Sequence, residues 1–450
     1  MTEPTRRKRR GCCLGCTIAL LVAMVLPILV WLIATAVTGA RVRAELDRLR
    51  KAGEPVDLAD LGGKLAPHVP PGVDNAAPLY QEAFDIWRDA AGMYSETIYS
   101  PAKWTAEDRQ AARTFVQTNQ QYFRLLDQAS RIRECEFSVQ WDDPTNALFP
   151  YFTKLREAAR GLSLKAEVEA ADGKLENAVA TCATSLRLVK HTETTPNLFG
   201  PLTAVAIQGV GLKELSRVLS TGTPSAATCR RLFTEFDDPD RNQYWVRAAQ
   251  GERLTGLSTY QGIEEGRLPA DVLNMDGSHE DTWRFTLLST LGRPWWNQDK
   301  LRYLQHMGQM VEGFRHPWPQ PKSLRLGLVW QFGSTSYAPS ALLLPELTPA
   351  LWSRDKAAAE LGAARIALAA KAYHGEHDRY PASLAELASA GWQLPLDPFT
   401  GKAFLYRREG PGFAVWSTGP DLKDNNATEI DYQKFKTDQP GYDFVFRCAR

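Results

Sequence analysis

The chain has 450 residues, which is long enough for two or three domains that each bury a core of their own. Its 53 Lys and Arg residues nearly balance its 52 Asp and Glu residues, so the formal net charge is +1. This balance gives no support for a nucleic-acid partner, because nucleic-acid-binding domains carry a clear basic excess.

The N-terminus combines a basic tail, 1–11, with a long apolar run. Residues 12–37 contain no charged side chain, and about 20 apolar residues suffice for a helix to cross the hydrocarbon of a bilayer. The sequence therefore predicts one transmembrane helix at 12–38. Because basic segments stay in the cytoplasm, we expect the bulk of the chain on the periplasmic side of a bacterial inner membrane.

A cleaved signal peptide is the other interpretation of this run, with "ATAVTGA" at 34–40 as its cleavage region. A signal peptide has an apolar core of about 7–15 residues, and the longer run here favours a retained anchor. A lipoprotein is disfavoured because Cys16 opens the apolar run instead of closing it. Cys12, Cys13 and Cys16 are expected at the cytoplasmic face, as buried thiols or as acylation sites.

Four further cysteines are spread over the predicted exported part: Cys135, Cys182, Cys229 and Cys448. None belongs to a CxxC pair, so a zinc knuckle is unsupported. Up to two disulfides in three pairings, or four free buried thiols, remain open alternatives.

A helical domain is predicted at 78–255, after a stalk and Pro-rich linker at 39–77. Thr105 followed by Asp108 suggests a helix start of the capping-box kind. Residues 155–191 form two amphipathic segments separated by Gly173, a residue that commonly ends a helix. The pair resembles a tetratricopeptide-type helical hairpin, and such arrays expose concave surfaces that bind peptides or proteins.

Residues 256–350 read as a Pro- and Trp-rich connection of helices and loops. The segment "RPWWNQD" motivates an alternative function, an exported hydrolase with its site within 230–350. No GxSxG, Walker A, HExxH or GxGxxG motif occurs in the chain, so no catalytic residue is predicted.

The C-terminal region, 351–450, begins with a long helix and continues with the alternating runs "AFLYRR" (403–408) and "GFAVWS" (412–417). The "EGPG" between them predicts a β-hairpin. The following loop, 417–426, concentrates side-chain oxygens on Ser417, Asp421, Asp424 and Asn425. Mixed carboxylate and amide oxygens on a loop suit Ca²⁺, which makes these four residues candidate metal ligands.

Residues 357–432 resemble the globular head of the major pseudopilins of type II secretion systems. The runs "RYPASLAEL", "LPLDPFTGKAFLYR" and "VWSTGPDLKDNN" carry this resemblance. It implies a helix packed on a small antiparallel sheet and a calcium ion in the last loop. Leu422 and Asn425 depart from the family pattern, where a glycine and an acid are usual.

These observations predict a mainly α protein with an N-terminal transmembrane helix, an exported helical array and a small α+β head. The whole chain resembles the large membrane-anchored exported proteins of planctomycete-type bacteria. We expect a membrane-tethered interaction or scaffold protein, with envelope or secretion-system proteins as partners and calcium as its one candidate cofactor.

Overall fold

A computed structural model describes residues 9–88, 104–144, 147–268, 287, 289–316, 339–343, 347–429 and 441–449. The described chain is mainly helical and includes one small antiparallel sheet, which confirms the general fold class. The helices are α1 (Arg9–Lys51), α2 (Ala77–Ile86), α3 (Ala106–Thr118), α4 (Gln120–Arg131), α5 (Pro150–Ala171), α6 (Leu175–Glu193), α7 (Phe199–Thr221), α8 (Ala226–Glu235), α9 (Arg241–Glu264), α10 (Arg293–Arg315), α11 (Pro339–Leu343), α12 (Leu347–His377) and α13 (Leu384–Ser389).

The chain divides into two compact units. The first comprises Met1–Asp57, Arg253–Gly308 and Phe332–Pro345, and the second comprises Leu58–Glu252, Gln309–Gln331 and Glu346–Arg450.

In the first unit, α1 is one continuous helix whose apolar part is exposed and whose C-terminal part is packed. Among the described residues it is the one helix long and apolar enough to cross a membrane, with a mean hydropathy of 2.7 in its most apolar window. Val42 and Leu49 are buried, and Glu54 forms a buried ion pair with Arg253 at 2.8 Å. The stalk part of the helix therefore belongs to the core of this unit.

In the second unit, α5, α6 and α7 pack against one another as an antiparallel array. The predicted turn at Gly173 is present with φ +74°, a conformation that glycine adopts without steric cost. The buried small residues Ala166 and Ala178 allow α5 and α6 to approach closely. The predicted capping box at Thr105 and Asp108 is confirmed, with both reciprocal hydrogen bonds formed.

The C-terminal sheet has the order β1–β2–β3 and is antiparallel throughout, with β1 at Leu405–Glu409, β2 at Gly412–Ser417 and β3 at Phe444–Cys448. The predicted hairpin is confirmed, and Gly410 at its turn has φ +56°. The third strand was not predicted. Its sequence "FVFRC" alternates buried and half-buried side chains, and such an alternation is the pattern that predicts a strand.

Helix α12 lies at the centre of the second unit and contacts α7 and α8 as well as β2 and β3. Its Ala-rich surface is buried, including Ala359, Ala363 and Ala367. These alanines join one hydrophobic cluster that extends from Val179 of α6 to Phe446 of β3. The segments predicted as a helical domain and as a head thus share a single core.

The four cysteines that follow the N-terminal helix, Cys135, Cys182, Cys229 and Cys448, are free thiols and buried. Burial raises the pKa of Cys229 and of Cys448 to about 12, so both thiols are protonated at neutral pH.

Candidate functional site

Of the four candidate calcium ligands, Ser417 at the end of β2 faces the protein interior. Its hydroxyl donates to Asp397 Oδ1 at 2.8 Å and accepts the Gly419 N–H at 3.1 Å. Asp397 is buried as well, and its carboxylate accepts the N–H of Phe399 at 3.0 Å. Ser417 therefore links the sheet to the loop that precedes it.

The other three candidates, Asp421, Asp424 and Asn425, lie together on the loop surface. Asn425 Nδ2 is 3.5 Å from Asp421 Oδ2, and Asp424 Oδ1 accepts the indole N–H of Trp416 at 3.1 Å. Leu422 between them has φ +59°, the left-handed conformation that suits glycine. The loop thus retains the backbone form expected of a glycine at this position.

Asp443 is a buried member of the same loop region that the sequence analysis did not select. Its two carboxylate oxygens accept the N–H groups of Asn425 at 3.2 Å and Ala427 at 2.8 Å. Burial raises the pKa of Asp443, and the nearby charge of Asp424 adds to this effect. Within the described ranges, no three His, Cys, Asp or Glu side chains are close enough together to hold a metal ion.

The segment proposed for a hydrolase contributes a buried polar network to the first unit. Asp299 accepts the Tyr260 hydroxyl at 2.6 Å, and it also accepts the hydroxyl at 2.6 Å and the N–H at 3.0 Å of Ser340. Trp296, from the "RPWWNQD" run, is fully buried and donates to Glu264 at 2.8 Å. Each of these polar groups is engaged with a neighbour, an arrangement typical of a structural network.

The second unit contains a cleft of about 660 Å³. Its walls come from the end of α4, the C-terminal half of α6, the loop between α8 and α9, and α12. Most of its lining side chains are ionisable, with both signs represented: Arg131, Arg133, Arg187, Lys190, His191, Glu193, Arg231, Glu235, Asp237, Asp238, Asp240 and Arg241.

Glu193 at the end of α6 is the most deeply buried acid of this cleft, with 3% of its surface exposed. Its carboxylate pairs with Arg241 Nε at 3.1 Å. Burial raises the pKa of Glu193 to about 7, in spite of the opposing charge of Arg241. The charge of this wall of the cleft therefore changes close to neutral pH.

His191, two residues before Glu193 on α6, has both ring nitrogens engaged. Nε2 is 2.9 Å from the Ile132 carbonyl oxygen, which only accepts, so this nitrogen carries the proton. Nδ1 then accepts the Tyr80 hydroxyl at 2.8 Å. Burial lowers the pKa of His191 to about 4, so the ring is neutral and holds the wall of the cleft in place.

Arg187 and Gln208 each bring a buried polar atom to the cleft that lacks a hydrogen-bond partner among the described residues. Arg187 pairs with Glu235 through Nε, and its Nη1 is 3.7 Å from Asp127, beyond hydrogen-bond range. Gln208 donates to the Ala357 carbonyl at 2.8 Å, and its Oε1 is unsatisfied. The two atoms without a hydrogen-bond partner, the donor Nη1 of Arg187 and the acceptor Oε1 of Gln208, thus belong to the adjacent helices α6 and α7.

A second cavity of about 220 Å³ adjoins the cleft on the other side of Phe236–Arg241. Arg365 from α12 spans it and pairs with Asp237 at 2.8 Å. Its far rim is apolar and consists of Pro395, Leu396 and Pro398, with Leu396 64% exposed. We call the two cavities together the charged groove.

Sequence reasoning missed the charged groove because its walls come from separate segments of the chain, spread between Ser130 and Pro398. The turn "DDPD" at 237–240 and the run "KHTE" at 190–193 each look like ordinary helix ends. Their proximity follows from the packing of α6 against α7 and of α8 against α12.

Comparison of the chain with protein-family models, with curated proteins and with solved structures gave no match.

Proposed function

We propose that this chain is a membrane-tethered interaction protein that binds a segment of a partner protein in the charged groove. The proposal depends on one observation, the charged groove. Its cleft of about 660 Å³ is lined by charged side chains of both signs, and the adjoining cavity has the apolar residues Pro395, Leu396 and Pro398 in its lining. Concave sites of about 300–1,000 Å³ with a few convergent polar groups are typical of ligand-binding sites.

The composition of the groove favours a peptide segment over a small apolar ligand. The cleft lining includes guanidinium and amide side chains such as Arg187 and Gln208, groups of the kind that pair with a peptide unit. Lys190 and Arg231 line the cleft, and the exposed Leu396 lines the adjoining cavity. A partner segment with an acidic part and an apolar part would complement both cavities.

A retained membrane anchor is the second part of the proposal. Helix α1 continues without interruption through 34–40, the region where a signal peptide would be cleaved. Beyond it, Thr38 accepts a hydrogen bond from Asn297 at 3.2 Å, and Val42 and Leu49 are buried in the first unit. Cleavage after this region would remove Thr38 and with it the hydrogen bond to Asn297. With the N-terminus in the cytoplasm, the partners would be envelope or secretion-system proteins.

Calcium is a third part of the proposal, as a structural ion of the 417–426 loop. Asp421, Asp424 and Asn425 would supply its oxygens together with Asp443, while Ser417 would not, because its hydroxyl is committed to Asp397. The electrostatic repulsion between Asp424 and Asp443 supports this assignment, since a cation would relieve it.

Site-specific photo-crosslinking in intact cells tests the interaction. A benzophenone side chain at Leu396, on the rim of the groove, should give a discrete adduct with an envelope protein. The matched control is the same side chain at Leu148, which is 81% exposed in the same unit and does not line the groove. The Leu396 adduct should disappear when Arg187→Glu is added. Equal adducts from both positions, or an adduct that survives the charge reversal, would overturn the proposal.

A further inference from the structure

A short segment that begins at Leu291 lies directly against the apolar part of α1 in the first unit. The Trp31 indole N–H donates to the Leu291 carbonyl oxygen at 2.6 Å. Seven residues further along α1, Thr38 Oγ1 accepts the side-chain amide of Asn297 at 3.2 Å. The chain around Leu291–Asn297 therefore follows the last turns of the apolar helix.

The side chains that this segment exposes are large and apolar. Leu291 is 68% exposed and Leu287, four residues earlier, is 44% exposed. Trp31 on α1 is itself 36% exposed. We call these three side chains the Leu287/Leu291 patch. It is continuous with the exposed apolar surface of α1, which includes Leu29 and Ile33.

The position of Trp31 fixes the depth of the patch. The apolar run that is predicted to cross the membrane ends at Val37, and Trp31 precedes that residue by six positions, or about 9 Å along the helix axis. Interfacial elements of membrane proteins insert to about 5–10 Å, into the boundary between headgroups and acyl chains. The patch is thus at the level of that boundary when α1 spans the bilayer.

The hydrogen bond from Trp31 has a specific consequence at this depth. A backbone carbonyl in the apolar part of a bilayer needs a donor from the protein, because water is scarce there. The Leu291 carbonyl has one in the Trp31 indole. Two basic side chains follow Leu291 in the chain, Arg293 and Lys300. Both form ion pairs with Glu264 at 3.3 Å.

From this geometry we infer that the Leu287/Leu291 patch inserts into the exported-side interface of a phospholipid bilayer, beside α1. The first unit would then have two membrane contacts, the spanning helix and this patch, and would be held at a fixed orientation against the membrane. The inference rests on the proposed anchor, since without α1 in a bilayer the patch has no reason to meet lipid.

Fluorescence quenching in proteoliposomes of phosphatidylethanolamine and phosphatidylglycerol tests it on the full chain. An NBD label is attached at Leu291→Cys in a background where Cys12, Cys13 and Cys16 are Ser. The control is the same background without Leu291→Cys, in which the four remaining native thiols are buried and should stay unlabelled. Shallow doxyl lipids should quench the Leu291 label by at least twofold, and aqueous iodide should not quench it.

Two matched labels separate failure of this inference from failure of the anchor. Val25→Cys in the apolar run must be quenched by deep doxyl lipids if α1 spans the bilayer. Lys51→Cys, about 21 Å beyond Val37 along the same helix, should be quenched by iodide alone. A quenched Val25 label with an iodide-accessible Leu291 label would overturn the inference while leaving the anchor intact. Protection of Leu291 that depends on protein density and not on doxyl lipid would assign the patch to a second copy of the chain.

Discussion

Gly362 on α12 lies directly beneath the ring of Phe404, the residue that leads into β1. A Cβ atom added at Gly362 would come within 2.8 Å of the ring, closer than packed carbon atoms approach each other. Both residues face the cluster that joins the helical array to the sheet. The absence of a side chain at this position is therefore what allows the sheet to close onto α12.

Gly362→Ala should lower the thermal unfolding midpoint of the second unit, because Phe404 must move to accommodate the new methyl group. Overpacking of this kind costs roughly 1–3 kcal/mol. The control is Gly209→Ala on α7, where the added Cβ has no neighbour within 4 Å. That change should leave the midpoint unchanged or raise it, since alanine favours helix. Equal midpoints for the two variants would contradict the close packing.

The local structure of the second unit was accessible from the sequence, whereas its long-range packing was not. The hairpin at Gly173 and the β-turn at Gly410 depend on backbone preferences of the residues present, so short patterns predict them. The shared core depends on an alanine surface of α12, and alanines tolerate many neighbours. Nothing local in "AAAELGAARIALAA" specifies that one face meets α8 and another meets the sheet.

The candidate sites show the same division. The sequence indicated that Asp421, Asp424 and Asn425 lie close together, because they fall within five residues of one loop. It could not indicate that Asp443 reaches that loop from 18 residues away, or that the Ser417 hydroxyl donates to Asp397, which precedes the hairpin. The charged groove could not be predicted from the sequence for the same reason, because paired residues such as Glu193 and Arg241 belong to different helices.

Glu193 should make the stability of the second unit depend on pH. Its pKa in the folded chain, about 7, is above the usual value for a glutamic acid, so the folded state binds a proton more readily than the unfolded state. The resulting stabilisation is present below about pH 4.5 and is lost as the pH rises through 7. Between pH 5.5 and 8.5 the loss from this one group is roughly 2 kcal/mol.

Glu193→Gln should therefore flatten the decline of the unfolding midpoint between pH 5.5 and 8.5, measured by circular dichroism. The comparison uses Glu107→Gln, an exposed glutamate of α3, because other buried acids also titrate in this range. Glu214, whose pKa burial raises to about 8, is one of them. Parallel pH profiles for the two variants would show that Glu193 is not the titrating group.

Calcium at millimolar concentration should raise the unfolding midpoint of the chain, and Asp421→Ala should abolish that rise. Ser417→Ala provides the contrast. It removes a buried hydrogen bond to Asp397, so it should cost about 1–3 kcal/mol whether or not calcium is present. A chain that shows no calcium-dependent shift, or a Ser417→Ala variant that loses the shift while Asp421→Ala keeps it, would contradict the assignment.

Leu422→Gly should stabilise the loop after β2. Leu422 has φ +59°, and a side chain in the left-handed region costs about 1–2 kcal/mol because Cβ approaches the following carbonyl oxygen. Glycine avoids this cost but brings more backbone entropy to the unfolded state, which offsets roughly 0.5–1 kcal/mol. The net expectation is a small rise in the thermal midpoint, of the order of 0.5 kcal/mol in free energy.

The control for this change is Val73→Gly, which also removes a half-exposed apolar side chain from a loop of the second unit. Val73 is 47% exposed against 49% for Leu422, and it is not among the residues with positive φ. Glycine there has no strain to relieve, so the variant should be less stable than the original chain. Leucine is one methylene larger than valine, so loss of apolar surface alone would make Leu422→Gly the more destabilising change, and the expected opposite order follows from backbone conformation. A Leu422→Gly variant that is destabilised as much as Val73→Gly would mean that the left-handed turn at 422 is not formed.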